Sequence, residues 1–425
     1  MINELKFIKV TLTEKITSLT QKMISSNKFK EAARKQNTDF TRKRGMPFEE
    51  VIPFMLTSFK CSTQSALRHF FNLLGKFNSI KQQSFSEARQ KIKVSAFIEL
   101  FKLTVDAMVE ECHKKWNEYS VYATDGSKIA LPSAAALTKH FYSLGIAGSA
   151  PTAQGSCLYD VLNDIIIDAL MEPLSSDERT LAIKHIENSK DILSKGKNLV
   201  IYDRGYASFD FIKKHEDAGL FYLMRVKSKF NKDIDAQTSP NGYIHIEKND
   251  IRLLLRVIKF KLDSGETEML ITNIMDKRFG IKAFKKLYFL RWPVETKYDI
   301  VKNKLQVENF TSRTVEGVQQ DFYATMYLAN VAAAAAYDAQ AGIDAARMDK
   351  NNKYQYKANI NELIGILKDK LVWALTQDDP NMQNKTVGSI INEIERYVTP
   401  IRPNRSVPRK KPRKAKFHHN RKINC

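Results

Sequence analysis

Between Tyr119 and Val226 the chain sets out strands and helices in an order that few folds accept. A β-like run, YSVYATDGSKIALP, rich in tyrosine and alternating apolar residues, ends in a turn. GSCLYDVLNDIIIDALMEP reads as a hairpin with Asn163 and Asp164 at its turn, two residue types that tolerate the tight backbone needed there. SSDERTLAIKHIENSKDIL carries a capped helix, NLVIYDRGY a short apolar strand, ASFDFIKKHEDAG a second helix and LFYLMRV another strand. The order is β-β-β-α-β-α-β: an antiparallel start followed by α/β alternation. An RNase H-like sheet has that order.

The stretch 226–280 interrupts the pattern. YIHIEK, IRLLLRVIKFKL and TEMLITNI look like strands, the last two joined by a DSGE turn, and together they predict a small β-rich insertion. Both flanks read as helical. Ser62 precedes the apolar-periodic STQSALRHFFNLLG, which stops at Gly75. Ser84 and Glu87 in SFSEARQKI form an S-x-x-E capping box that predicts a helix start, and a third helix runs through SAFIELFKLTVDAMVEECHKKW. Arg68, Lys76, Lys81, Arg89, Lys91 and Lys93 give this region a basic character that suits DNA. Helical patterns return from Ile281 to about Tyr397, including the alanine-rich FYATMYLANVAAAAAYDAQ, where apolar residues at helical spacing serve a core or a dimer surface.

The expected organisation is an α/β core flanked by helical domains. Residues 1–118 form a helical, basic, DNA-end-binding domain, and 119–316 the core, with its insertion at about 226–280. Residues 317–400 form a helical C-terminal domain for dimerisation, and 401–425 a disordered basic tail.

Charge supports a polyanionic partner. Lys+Arg number 68 against 47 Asp+Glu, a net charge of +21. The tail contributes +10 with no acidic residue, residues 1–46 contribute +7, and 47–400 only +4. Mobile cations suffice to contact a phosphate backbone, so the ends of the chain suit DNA holding. No apolar run approaches the ~18–20 residues of a membrane helix. The start shows no signal-peptide pattern. The four cysteines offer no C-x-x-C zinc spacing. The expectation is a cytoplasmic protein.

Two acids stand at strand ends: Asp125 in TDGS and Asp203 in LVIYDRGY. Each alone is an ordinary turn former or cap. On adjacent strands of one sheet they would converge. In YFLRWPVETKYDIVK, the residues Tyr288, Arg291, Glu295 and Lys302 fall within roughly 60° of one face if the segment is a single helix. Pro293 complicates that phase, because proline belongs in a first turn or at a kink. Three carboxylates suit Mg²⁺, which takes hard oxygen ligands and keeps several waters. Paired ions can activate an attacking oxygen and stabilise a departing one. Arg291 and Lys302 would hold phosphates, and Tyr288 would donate to a phosphate or stack on a base. Arg204, beside Asp203, is a further phosphate contact. His140, His185 and His215 read as surface or helix residues, and Asp160, Asp164 and Asp168 as hairpin charges.

The pattern Y-x2-R-x3-E-x6-K, preceded by TDGS and DRGY, resembles the YREK-type DDE transposases of bacterial insertion sequences (the IS-four family). The resemblance runs from about Asp125 to Lys302, and SFSEARQKI looks like the helical region these enzymes carry before their first aspartate. It implies an RNase H-like core with a β-strand insertion between the second Asp and the Glu. Asp125, Asp203 and Glu295 would be the catalytic metal-binding set, with Mg²⁺, or Mn²⁺ as substitute. The resemblance further implies cutting and joining of DNA at terminal inverted repeats, often through a hairpin end. The acting form would be a homodimer on paired ends and target DNA, associated with a bacterial nucleoid. An RNase H-like nuclease without strand transfer, or a catalytically silent DNA-binding derivative, are the alternatives. Such enzymes can stack a flipped base on an aromatic of the insertion. None of Trp116, Trp292 and Trp373 lies there, which leaves Phe230, Tyr243 and Phe260, each also suited to a core role.

Overall fold

The structure is a computed structural model, and it describes residues 10–42, 45–57, 60–76, 80–142, 150–262 and 265–402. Most of the basic tail therefore lies outside the described residues. The chain forms two compact units: Met1–Glu111 with Ala130–Thr152 and Ile300–Cys425, and Cys112–Ile129 with Ala153–Asp299. No helix among the described residues is long and apolar enough to cross a membrane.

The first unit is helical. Its axis is the 31-residue helix Val315–Ala345, buried almost without interruption from Gly317 to Ala335. Its run of alanines lets neighbouring helices approach closely, and the Val94–Glu111 helix packs along it. Polar groups within this packing are paired, as burial demands. Asn330 donates to Thr104 Oγ1, and Tyr327 to Thr20 Oγ1. Asp338 accepts from the amides of Leu12 and Thr13, satisfying donors that the first turn of Leu12–Ile24 leaves open.

Two sequence expectations change here. Ser84 does not start its helix. The helix runs Gln82–Gln90 from Lys81, and its first amide is taken by the Gln64 side chain, whose own amide donates to Ile80 O. A tertiary cap has replaced the local one. Arg89 points inward rather than toward DNA: it is 3% exposed, paired with Asp321 at 2.9 Å, and donates to Gln320, Thr311 and Gly317 O. Ser62 does cap its helix, Thr63–Leu73, and Gly75 follows with φ of 69°.

The second unit is built on an eight-stranded sheet. Its strands are β1 (Tyr119–Ala130), β2 (Thr152–Asp160), β3 (Ile165–Pro173), β4 (Lys197–Tyr202), β5 (Phe221–Val226), β6 (Asn241–Lys248), β7 (Ile251–Lys261) and β8 (Thr267–Thr272). They lie in the order β3-β2-β1-β4-β5-β8-β7-β6. β2 and β3 are an antiparallel hairpin, while β1, β4 and β5 run parallel, with helices Glu178–Asn188 and Phe209–Asp217 between the later strands. This is the RNase H-like order that the strand and helix patterns require. Asp160 closes the hairpin by accepting from the amides of Leu162 and Asn163, and Asp164 takes φ of 59°.

The predicted insertion is β-rich, but it is no separate body: β8 pairs antiparallel with β5, and β7 and β6 continue the same sheet. Buried Arg256 on β7 donates to the carbonyls of Ile274, Asp276 and Phe279, and its guanidinium lies over the Phe284 ring. It thereby fastens the extension to the helix Ile281–Phe289. The apolar core, including Val121, Leu199, Ile201, Leu223, Ile258, Leu270, Phe284 and Leu287, fixes that helix on the sheet.

Candidate active site

β1 and β4 pair in parallel with Ala123 opposite Ile201. Two residues further along each chain stand Asp125 and Asp203. The parallel register therefore brings the two acids toward one level; Asp203 follows the end of β4 as expected, but Asp125 lies inside β1, which runs on through the expected turn to Ala130.

The third contribution comes from the segment after the sheet. The helix Ile281–Phe289 ends at Leu290, a new helix spans Trp292–Asp299, and Ile300–Lys304 is a π turn. The single helical face assumed from sequence does not exist, because Pro293 has no amide hydrogen and starts a helix rather than continuing one. Tyr288, Arg291 and Glu295 converge regardless. Tyr288 Oη donates to Asp203 Oδ1 at 3.3 Å. Arg291 Nη2 donates to Glu295 Oε1 at 2.6 Å, and Nη1 lies 3.7 Å from Asp125 Oδ2. One guanidinium bridges two of the three carboxylates.

Lys302 lies on the π turn and belongs to the helical unit, where its Nζ is 3.9 Å from Glu308 Oε1. Burial pulls its pKa down, and Glu308 opposes that. Arg204 is exposed in the turn after β4.

Electrostatics mark the same place. Burial pushes Asp125 up to about 6, against the Gly126 amide and Arg291, while Glu295 and Glu178 add to the rise. Burial and Asp203 likewise raise the Tyr288 hydroxyl. Arg291 is held above its ordinary value: burial works against the charge, but Glu295, Tyr288 and Asp203 outweigh it.

Several neighbours escaped sequence reasoning. Glu178, first residue of its helix, faces Gly126: a Cβ on that glycine would come within 2.6 Å of Glu178 Oε1 and of Gln154 Nε2. Buried Glu268 pairs with Arg225 at 3.1 Å; burial raises its pKa, Arg225 opposes the rise, and Asp203 adds to it. Trp292 is 45% exposed with the Arg291 guanidinium against its ring, and Tyr243 is 42% exposed rather than core. His185 is fully buried, with Nδ1 2.7 Å from Asp168 Oδ2 and Nε2 2.9 Å from Ser156 Oγ. Asp168 is thus a partner of histidine rather than a hairpin charge. His215 is buried too, between Phe211 O and Tyr202 Oη.

Among the described residues no three acidic, histidine or cysteine side chains are gathered as a ligand cluster. The donor chemistry nonetheless fits a hard divalent cation: Asp125 and Glu295 share a positive group, and Asp203 stands at Asp125's level on the next strand.

No curated protein matches the chain by sequence at a significant level. A piggyBac transposase, solved by cryo-electron microscopy as a synaptic complex with hairpin DNA, is similar in structure with a TM-score of 0.48 and 10% identity, over 89% of this chain and 85% of that one. Residues 116–331, which span the sheet, the Tyr288–Arg291–Glu295 segment and the start of the long helix, match the family model described as the transposase DDE domain. The chain belongs to the transposase DDE domain family.

Proposed function

We propose that the protein is a YREK-type transposase that cleaves DNA at terminal inverted repeats and transfers the freed ends to target DNA. The observation that carries this reading is the pairing of three acids with motif side chains: Asp203 with Tyr288, and Asp125 with Glu295 through Arg291. Asp125, Asp203 and Glu295 would hold Mg²⁺, or Mn²⁺ in its place. When bound, the metal supplies Lewis-acid activation of the attacking oxygen and charge stabilisation of the departing one.

The chain's own residues supply position and charge. Tyr288 orients the Asp203 carboxylate. Arg291 keeps Asp125 and Glu295 together and brings positive charge for a phosphate to the site. Lys302 and Arg204 add phosphate contacts. The helices of 1–118 bind the DNA end, residues 317–400 support a homodimer on paired ends, and the basic tail holds DNA by charge. Cleavage through a hairpin end belongs to the same reading.

Glu295→Gln tests it on a matched terminal-repeat substrate in Mg²⁺. The variant should bind ends with unchanged affinity and fail to nick them. Nicking at the normal rate would remove Glu295 from the site. A target-plasmid assay separates a transposase from a nuclease, since only the former gives joined product.

A further inference from the structure

The backbone carbonyl of Asp125 carries an unusual load. It accepts from Tyr298 Oη at 2.8 Å and from Ser156 Oγ at 3.4 Å. Tyr298 lies one helical turn beyond Glu295 on the Trp292–Asp299 helix. Ser156 lies on β2, and its hydroxyl is held by His185 Nε2, whose Nδ1 meets Asp168 Oδ2; Asn188 Nδ2 also donates to that carboxylate at 3.1 Å. One carbonyl is therefore tied to both the helix that carries Glu295 and a buried polar chain across the sheet.

The ties are oriented. Since Tyr298 donates to Asp125 O, its oxygen is left to accept, and the Cys157 thiol lies against it. Ser156 Oγ stands between two partners, His185 Nε2 at 2.9 Å and Asp125 O at 3.4 Å. Ser156 and His185 are too buried, at 2% and 0% exposure, to act on a substrate. A second clamp holds the same helix: Lys297, 4% exposed, reaches Asp164 Oδ1 at 2.9 Å in the β2–β3 turn.

From this geometry we propose that Tyr298 is a positioning residue that fixes the spacing between Asp125 and Glu295, with the Ser156–His185–Asp168 chain bracing Asp125 from the other side. The proposal rests on the reading of Asp125 and Glu295 as metal-holding residues. A phenol is suited to the task because it is rigid and long enough to span from helix to strand, and its loss as Tyr298→Phe removes one oxygen while keeping the packing. Groups that orient metal ligands from behind typically change affinity 10- to 100-fold when removed.

The test measures Mn²⁺ binding to the full chain by paramagnetic resonance of the free ion, alongside DNA-end affinity and melting temperature. Tyr298→Phe should weaken Mn²⁺ by about tenfold or more, leave end affinity unchanged and raise the Mg²⁺ concentration needed for half-maximal cleavage. Ser156→Ala should shift the same readouts in the same direction, and it keeps the test open if the tyrosine variant does not fold. Asp125→Asn serves as reference. If it loses Mn²⁺ while Tyr298→Phe and Ser156→Ala bind normally, the positioning role is overturned. If Asp125→Asn itself binds Mn²⁺ normally, the metal reading falls, and the proposal with it.

Discussion

Replacing Arg291 by methionine should unmask the repulsion that the guanidinium now offsets. The side chain is 7% exposed and meets Glu295 at 2.6 Å and Asp125 at 3.7 Å. Breaking a fully buried pair costs about 3–5 kcal/mol, because a charge is left uncompensated. Here the two carboxylates are 26% and 30% exposed and keep part of their hydration, so about 1–3 kcal/mol is expected at pH 8. The loss should depend on pH in a defined direction. Asp125 titrates at about 6 in the folded chain against an ordinary 3.8, so the folded state holds the proton more tightly. Stability therefore falls as pH rises through that window, by at most ~1.4 kcal/mol per pH unit. Arg291 is one of the groups that hold Asp125 down. Without it the window extends above 6, and the variant keeps losing stability where wild type has levelled. Urea unfolding in EDTA from pH 4.5 to 8 measures both curves. They should nearly meet at the acid end and diverge above pH 6. Parallel curves would show that Arg291 contributes only packing, and would refute the counter-ion argument.

Three other outcomes follow from single features. His215 is driven down to about 4 by burial, with the Phe211 carbonyl opposing, so its contribution is present above 6.5 and is lost as pH falls toward 4. His215→Gln should shrink the stability difference between pH 7 and pH 5, and an unchanged difference would count against it. Gly126→Ala should shift the urea midpoint by the equivalent of less than about 2 kcal/mol, since flexible ends of Glu178 and Gln154 can move, yet slow end cleavage tenfold or more; wild-type cleavage would show that this contact is idle. Deleting 401–425 removes ten cations and should flatten the dependence of log affinity on log salt by up to about nine; an unchanged slope would mean the tail does not touch phosphate.

What the sequence revealed was what short-range pattern can encode. Strand and helix order, the Asn163–Asp164 turn and the Ser62 cap all follow from local periodicity and turn chemistry. Asp203 was legible because it follows an apolar strand, whereas Asp125 lies inside β1 rather than at its end, and the parallel pairing of β1 with β4 brings the two acids near each other. Tyr288, Arg291 and Glu295 were legible by spacing, although the helical wheel that grouped them assumed one helix across a proline. The groups that support the site were not legible. Ser156, Asp168 and His185 meet across 29 and 17 residues of chain, and nothing local distinguishes them from ordinary polar positions. Arg89 shows the opposite error: composition placed it among DNA-binding cations, but its partner Asp321 is 232 residues away.

The charge distribution gives a reason for a metal that does not depend on reaction chemistry. Residues 47–400 carry only +4, and at the site Asp125, Asp203, Glu295 and Glu178 influence one another while Arg291 is the cation between two of them. Burial is what chiefly raises Asp125 to about 6, and Glu295 and Glu178 add to the rise while Arg291 opposes it. A DNA phosphate brought to such a place meets net negative charge in a partly desolvated setting, where Coulomb terms are several-fold larger than in water. On the proposed reading, cations held at the carboxylates themselves would let the scissile phosphate approach closely. It follows that end binding should survive chelation, while contacts between the scissile phosphate and the site should not, a separation that footprinting in EDTA and in Ca²⁺ would reveal as protection of the terminal phosphate only in the latter.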